Sequence, residues 1–244
     1  MNGLGRLEVE MILAIDVGNT NTVLGFYEKE VLVYSHRFTT KSKVTSDELK
    51  TKFFNILNFA KIDKDKIKAV IIASVVPNLN KVYSDLFADG FACECYFVKD
   101  YIEKFPLKIN IQNIEELGDD RIINSLAAYR KFQENVIILD FGTAITFDVV
   151  TSESGYVGGV IYPGISLASE YLAVATAKLP KVELKVTEEV TGKNTIHAIE
   201  SGIYNGYMAM IEGLLNRLKQ EHGEDFKIIA TGGMGEFFYI ISRL

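Results

Sequence analysis

Cysteine, proline and histidine are scarce in these 244 residues, at two, four and three. The cysteines, Cys93 and Cys95, stand one residue apart, so there is no disulfide framework. His36, His197 and His222 are scattered, and with so few thiols no zinc set can be assembled. Few prolines and no Ser/Pro-rich stretch exclude a long linker. No apolar run reaches the roughly 18 residues of a membrane-spanning helix. The opening MNGLGRLEVE lacks the apolar core of a secretory signal. Positive charge is also short: 26 Lys and Arg against 32 Asp and Glu leave −6, with a pI near 5.2. That balance argues against nonspecific binding to nucleic acid or an anionic membrane, while leaving room for a local phosphate site. The chain reads as a cytoplasmic soluble protein. An apolar fraction of 48% with 24% charged residues fits a globular enzyme of one large or two small domains.

What is present is an order of elements. Met11–Val17 is an apolar run ending at Gly18 and predicts a buried strand. Strands follow at 22–27 and 31–38, joined by Glu28-Lys29-Glu30. Thr45-Ser46-Asp47-Glu48 has capping-box spacing and opens a helix with Leu49, Phe53, Ile56, Leu57 and Ala60 on one face. A strand is expected at 69–76, a helix at 78–88 and a strand at 93–98, with Cys93 and Cys95 as structural thiols on its opposite faces. The programme then restarts: strands at 135–140, 145–151 and 156–161, helices at 165–175 and 194–221, and a strand at 227–230. The long helix is expected to break around Gly202 and Gly206, and its apolar residues serve either a subunit interface or ordinary core packing. Asp16-Val17-Gly18-Asn19-Thr20-Asn21-Thr22 aligns without gaps with Asp140-Phe141-Gly142-Thr143-Ala144-Ile145-Thr146, so the chain reads as a duplicated α/β half with a mixed sheet.

An Asp at a strand end followed by Gly has a chemical use. Glycine lets backbone N–H groups approach an anion, Asn or Thr adds a donor, and the carboxylate acts through a cation or water. One copy is as readily a plain strand-end turn; two copies at equivalent points of a duplicated fold suit a polyphosphate. Ala230-Thr231-Gly232-Gly233-Met234-Gly235 is a strand running into a glycine-rich turn, either a ligand platform or a simple helix start. No Walker P-loop sequence occurs.

These three segments resemble the two phosphate motifs and the adenosine motif of the sugar kinase and actin superfamily. That resemblance implies two RNase H-like domains with ATP between them: 11–117 with the first phosphate motif, and 118–244 with the second and the adenosine motif. Residues 1–10 are expected to be an extension, and the second domain to be short at its C-terminus. Seven segments occur in the order found in type III pantothenate kinases: Asp16–Asn21, Ser74-Val75-Val76-Pro77, Gly118-Asp119-Asp120-Arg121, Asp140–Ala144, Tyr162-Pro163-Gly164, Ala177-Lys178-Leu179-Pro180 and Gly192-Lys193-Asn194-Thr195.

The resemblance implies transfer of the γ-phosphoryl of ATP to the primary hydroxyl of pantothenate, the first step of coenzyme A synthesis. Asp120 matches the catalytic base, and Arg121 would hold the substrate carboxylate with its planar fork. On spacing alone the two also read as an exposed ion pair at a helix start. Gly118, Asp119 and Thr195 fall in the substrate set, Thr195 reaching over from a partner subunit in a homodimer. Asp16, Val17, Gly18, Asn19, Thr20, Asn21, Thr22, Val23, Thr143, Gly232 and Gly233 fall in the ATP set. Asp16 would arrange Mg²⁺ through water, and Asp140 would bind K⁺ or NH₄⁺.

Two positions depart from the family pattern. Asp119 stands where a small apolar residue is usual; adjacent side chains diverge, so it is not expected to share the pocket with Asp120. Ile111 stands where some members have Tyr. The rival functions are a non-catalytic regulator derived from such a kinase, against which the retained Asp16, Asp120, Arg121 and Asp140 argue, and another kinase of the superfamily, such as one acting on sugars.

Overall fold

The computed structural model describes residues 10–233 apart from Ala92, Ala177 and Glu224. The first nine residues, Ala177 of the Ala177–Pro180 segment and everything from Met234 onward lie outside the described residues. The chain forms two compact units. The first takes the described residues up to Pro106 together with Glu115–Ile123, and the second takes Leu107–Ile114 together with the chain from Asn124. Leu107–Ile114 belongs with the second because Tyr156 N–H donates to Lys108 O at 2.9 Å and Asn110 N–H to Tyr156 O at 2.8 Å.

In the first unit, β1 (Met11–Val17), β2 (Asn21–Glu28), β3 (Val31–Thr39), β4 (Ile67–Ser74) and β5 (Glu94–Phe97) form a sheet ordered β3-β2-β1-β4-β5. The hairpins are antiparallel, and β4 and β5 join in parallel. Crossovers α1 (Ser46–Ala60) and α2 (Pro77–Gly90) cover one face. The capping box forms as expected: Glu48 N–H donates to Thr45 Oγ1 at 3.2 Å, and Thr45 N–H donates to Glu48 Oε2 at 2.9 Å. Leu49, Phe53, Ile56 and Leu57 then meet Leu13, Ile15, Val70, Ile72 and Phe87 in the core. Cys93 and Cys95, expected on opposite faces, both pack against this one core. Side chains alternate with period two along a strand, so residues separated by one share a face. Burial pushes the Cys95 thiol up to about 11 and raises that of Cys93, so both are poor nucleophiles.

The second unit repeats the order with β6 (Val136–Phe141), β7 (Ala144–Thr151), β8 (Gly155–Pro163) and β9 (Lys227–Gly232), arranged β8-β7-β6-β9. Helix α3 (Asp119–Phe132), which the periodicity did not single out, leads into β6; α4 (Ile165–Ala175) and α5 (Thr195–His222) follow β8. The expected break in α5 does not occur: it runs for 28 residues through Gly202, Gly206 and Gly213. Three interior glycines cost about 1 kcal/mol each against alanine. Burying Ile199, Ile203, Tyr207, Met208, Ile211, Leu215 and Leu218 on one stripe returns about 1.5–3 kcal/mol for each large side chain, so packing wins. Of the two readings of that stripe, these seven side chains follow core packing.

Candidate functional site

The carboxyl ends of β1 and β4 lie side by side, and the first Asp-x-Gly turn grows out of β1. Val17 is buried and seals the core, while Asp16 beside it points to the other face and is exposed. Gly18 N–H donates to Asn21 O at 3.0 Å, closing the turn and leaving Asn19 and Thr20 exposed at its tip. A Cβ on Gly18 would stand 3.0 Å from that carbonyl, so the turn favours a residue without one. Thr22 is fully buried; its hydroxyl meets that of Thr40 at 2.9 Å, and Thr40 N–H donates to Thr20 O at 2.9 Å. Val23 is half-buried on β2. In this arrangement Val17 and Thr22 present backbone, not side chains, to anything bound at the turn.

Next to that turn stands the start of α3. Gly118 O accepts the first helical bond, from Ile122 N–H at 3.1 Å. Asp119 is 2% exposed, and its Oδ2 accepts Ser74 N–H at 3.0 Å. Burial pushes this carboxyl above the ordinary range, and the Ser74 bond pulls partly back. Asp120 is half-buried, its Oδ1 accepting Arg121 N–H at 2.8 Å. A Cβ on Gly118 would lie 2.5 Å from Asp120 Oδ1 and 3.2 Å from Val75 Cγ1, so the glycine makes room for the Asp120 carboxylate. Asp119 and Asp120 therefore diverge as expected, one into the protein and one along the helix terminus, where the backbone dipole favours an anion.

The second turn, in the other unit, is built differently. Asp140 is half-buried, and its Oδ2 accepts Asn124 Nδ2–H at 3.0 Å. Gly142 N–H donates to Ala144 O at 3.0 Å, and Thr143 is exposed. Gly164 N–H donates to Thr143 O at 3.0 Å, and a Cβ there would come within 2.2 Å of that oxygen, so Gly164 is required by contact. Tyr207, from α5, donates to Pro163 O at 3.0 Å and so braces this segment. Gly232, paired with Phe141 through β9, has φ +98, and a Cβ would lie 2.5 Å from Phe141 O. Gly233 is exposed beside it and has open space at its Cβ position. Thr195 is exposed at the first turn of α5, where Asn194 caps the helix by accepting His197 N–H at 2.9 Å. Gly192 packs against that turn, its Cβ position 2.4 Å from Ala198 Cα.

The first unit thus gathers Asp16–Val23 with Gly118–Arg121, and the second gathers Asp140, Thr143, Gly232 and Gly233. Thr195 stands apart from the second group in sequence, at the head of its own helix. Three supports went unread in the sequence. Asn124 falls four residues after Asp120 on α3, and its bond to Asp140, 16 residues on, is set by the tertiary fold. Ser74 and Tyr207 act through a backbone N–H and a phenol placed only by the tertiary fold.

The donors fit hard cations. Asp16 is an exposed carboxylate at the strand end that leads into the turn of exposed Asn19 and Thr20, which suits Mg²⁺ kept largely in water and on substrate phosphates. No group of three or more His, Cys, Asp or Glu residues forms a metal cage among the described residues. None of the described helices is long and apolar enough to cross a membrane.

Several known proteins resemble this chain along most of its length. A protein-family profile described as Type III pantothenate kinase matches residues 12–217. A Type III pantothenate kinase of Paramagnetospirillum magneticum is 42% identical over 228 residues, covering 93% of this chain and 88% of the relative. Among solved structures, a conserved Baf family protein of Campylobacter jejuni superposes with TM-score 0.55 at 21% identity, covering 94% of this chain and 87% of the other. The ethanolamine utilization protein EutJ of Carboxydothermus hydrogenoformans superposes with TM-score 0.50 at 13% identity, covering 95% and 79%. At such identities the two structures speak for the fold alone, that of the actin-like ATPases.

Proposed function

The chain belongs to the type III pantothenate kinase family, and from that premise we propose how its own residues divide the work. The enzyme phosphorylates pantothenate with ATP and Mg²⁺, the step that opens coenzyme A biosynthesis. Asp120 is the general base: its carboxylate receives the proton of the primary hydroxyl as that oxygen attacks the γ-phosphorus and the bond to ADP breaks. Arg121 takes the pantothenate carboxylate in a two-point grip, aligning the hydroxyl with the phosphoryl group. Gly118 keeps Asp120's carboxylate clear, and Asp119 serves the substrate set by holding this turn.

Asn19, Thr20 and the N–H groups from Gly18 to Val23 hold phosphate oxygens. In the second unit Thr143, Gly232 and Gly233 contact the nucleotide. Mg²⁺, held through water by Asp16, neutralises charge on the phosphates when bound, and Asp140 holds the monovalent cation, K⁺ or NH₄⁺. Each half is one RNase H-like domain. Thr195 completes the substrate site of a partner copy in a homodimer, a reading supported by the exposed apolar side chains of Leu167, Tyr171 and Val174 on α4 and Ile196 on α5.

The observation that carries this reading is the seating of Asp120 and Arg121 on the first turn of α3, tied to the end of β4 by Asp119. Its test is phosphopantothenate formation by the full chain, with ATP omitted in one arm and a panel of sugars and other alcohols replacing pantothenate in another. Turnover confined to ATP and pantothenate supports it; no turnover at saturating ATP, Mg²⁺ and K⁺, or a preference for a sugar, overturns it.

A further inference from the structure

We propose that Asp119 is a positioning residue, which ties the base Asp120 to the first phosphate turn through the ends of β4 and β1. The proposal rests on Asp120 and Arg121 being the reacting pair. Asp119 does not meet substrate itself: it is buried, and Oδ2 is committed to a backbone N–H 45 residues away in sequence. The N–H it accepts would otherwise be orphaned. The pairing of β4 with β5 ends at Ile72, so Ser74 has no neighbouring strand on that side, and a buried N–H without an acceptor is costly.

From Ser74 the path continues without a gap. Val75 N–H donates to Val17 O at 3.1 Å, and Val17 is the residue before Gly18 of the phosphate turn. The Ser74 hydroxyl lies 3.3 Å from Val76 N and holds this strand end in shape. On the other side Asp119 opens α3, so whatever fixes its side chain fixes the first helical turn, including Asp120, whose carboxylate folds onto Arg121 N–H. Phosphoryl transfer relies on alignment of attacking oxygen and phosphorus, and misplacement by about 1 Å costs on the order of a hundredfold. A link from base to phosphate turn therefore acts on kcat.

Asp119 Oδ1 is buried and accepts no hydrogen bond among the described residues. What the site uses is one oxygen as acceptor, and an amide supplies that equally well. Asp119→Asn, Asp119→Ala and Asp120→Asn are compared in the full chain, measuring kcat, the KM for ATP and pantothenate, and the thermal midpoint. Asp119→Ala is expected to lose about tenfold or more in kcat with little change in KM for ATP, at temperatures where it is folded. Asp119→Asn is expected to retain most of kcat. Wild-type kcat in Asp119→Ala overturns the proposal. So does an Asp119→Asn variant as slow as Asp120→Asn, an arm that decides the matter even if the alanine variant does not fold. Wild-type kcat in Asp120→Asn would instead sink the assignment of the base, which separates the two failures.

Discussion

Asp16 pairs across its hairpin with Val23 and Val17 with Thr22, whereas Asp140 pairs with Thr146 and Phe141 with Ile145. The second hairpin is one residue shorter, although the two segments align without a gap. Because side chains alternate, one residue of register moves every following side chain to the other face. Thr22 consequently joins Leu24 and Phe26 in the core, while the aligned Thr146 lies opposite Ile145 and Phe147 and bonds to Asp148. The two carboxylates keep equivalent positions ahead of the difference: each sits between two buried residues of its first strand. Their surroundings differ, Asp16 being exposed and Asp140 half-buried on Asn124. The duplicated motif thus preserves the acid and the glycine and lets the rest of each turn diverge.

The glycines give the largest expected contrast. Gly232→Ala places a Cβ at positive φ against Phe141 O and is expected to cost about 2–4 kcal/mol, read as a fall in thermal midpoint. Gly142→Ala meets nothing nearer than Ala144 O at 3.5 Å and is expected to cost less than about 1 kcal/mol. Equal losses would break the contrast. The threonines come next. Thr22→Val leaves the Thr40 hydroxyl unpaired beside a buried site and is expected to cost about 1–2 kcal/mol by denaturant unfolding. Thr146→Val leaves Asp148 its bond from Tyr156 and is expected to cost about half as much or less.

The smallest effect is a slope with pH in the first half. The folded-state pKa of Asp119 is raised by burial, so the folded protein holds this proton where the unfolded chain has released it. Stability is therefore lost as pH rises from the ordinary carboxylate range through the raised value. Asp119→Asn removes that component, so its thermal midpoint should gain on wild type across this window. A constant difference between the two would show that Asp119 ionises in the folded protein as it does in the unfolded chain.

Much of this architecture was legible in the residues, for reasons the structure makes plain. β1 is bounded by an apolar run and a glycine, and α1 by a complete capping box; both are local signals, and both elements fall where those signals put them. Helix α5 was legible in its extent and not in its continuity, because glycine propensity is local while the packing that outweighs it is tertiary. Helix α3 escaped notice because its first turn is polar and charged, and the burial of its apolar residues Ile122 and Ala128 is set by tertiary packing. At the candidate site the residue types and their order were legible. The acceptor role of Asp119 and the support of Asp140 by Asn124 were not, since each joins residues far apart in sequence.

The division of labour between the two turns is tested most directly by measuring phosphopantothenate formation in Asp16→Asn and Asp140→Asn, each titrated separately with Mg²⁺ and K⁺. The account predicts that Asp16→Asn raises the Mg²⁺ requirement and leaves the K⁺ response unchanged, and that Asp140→Asn does the reverse. Identical responses of the two variants to both ions, or wild-type behaviour in either, would contradict it.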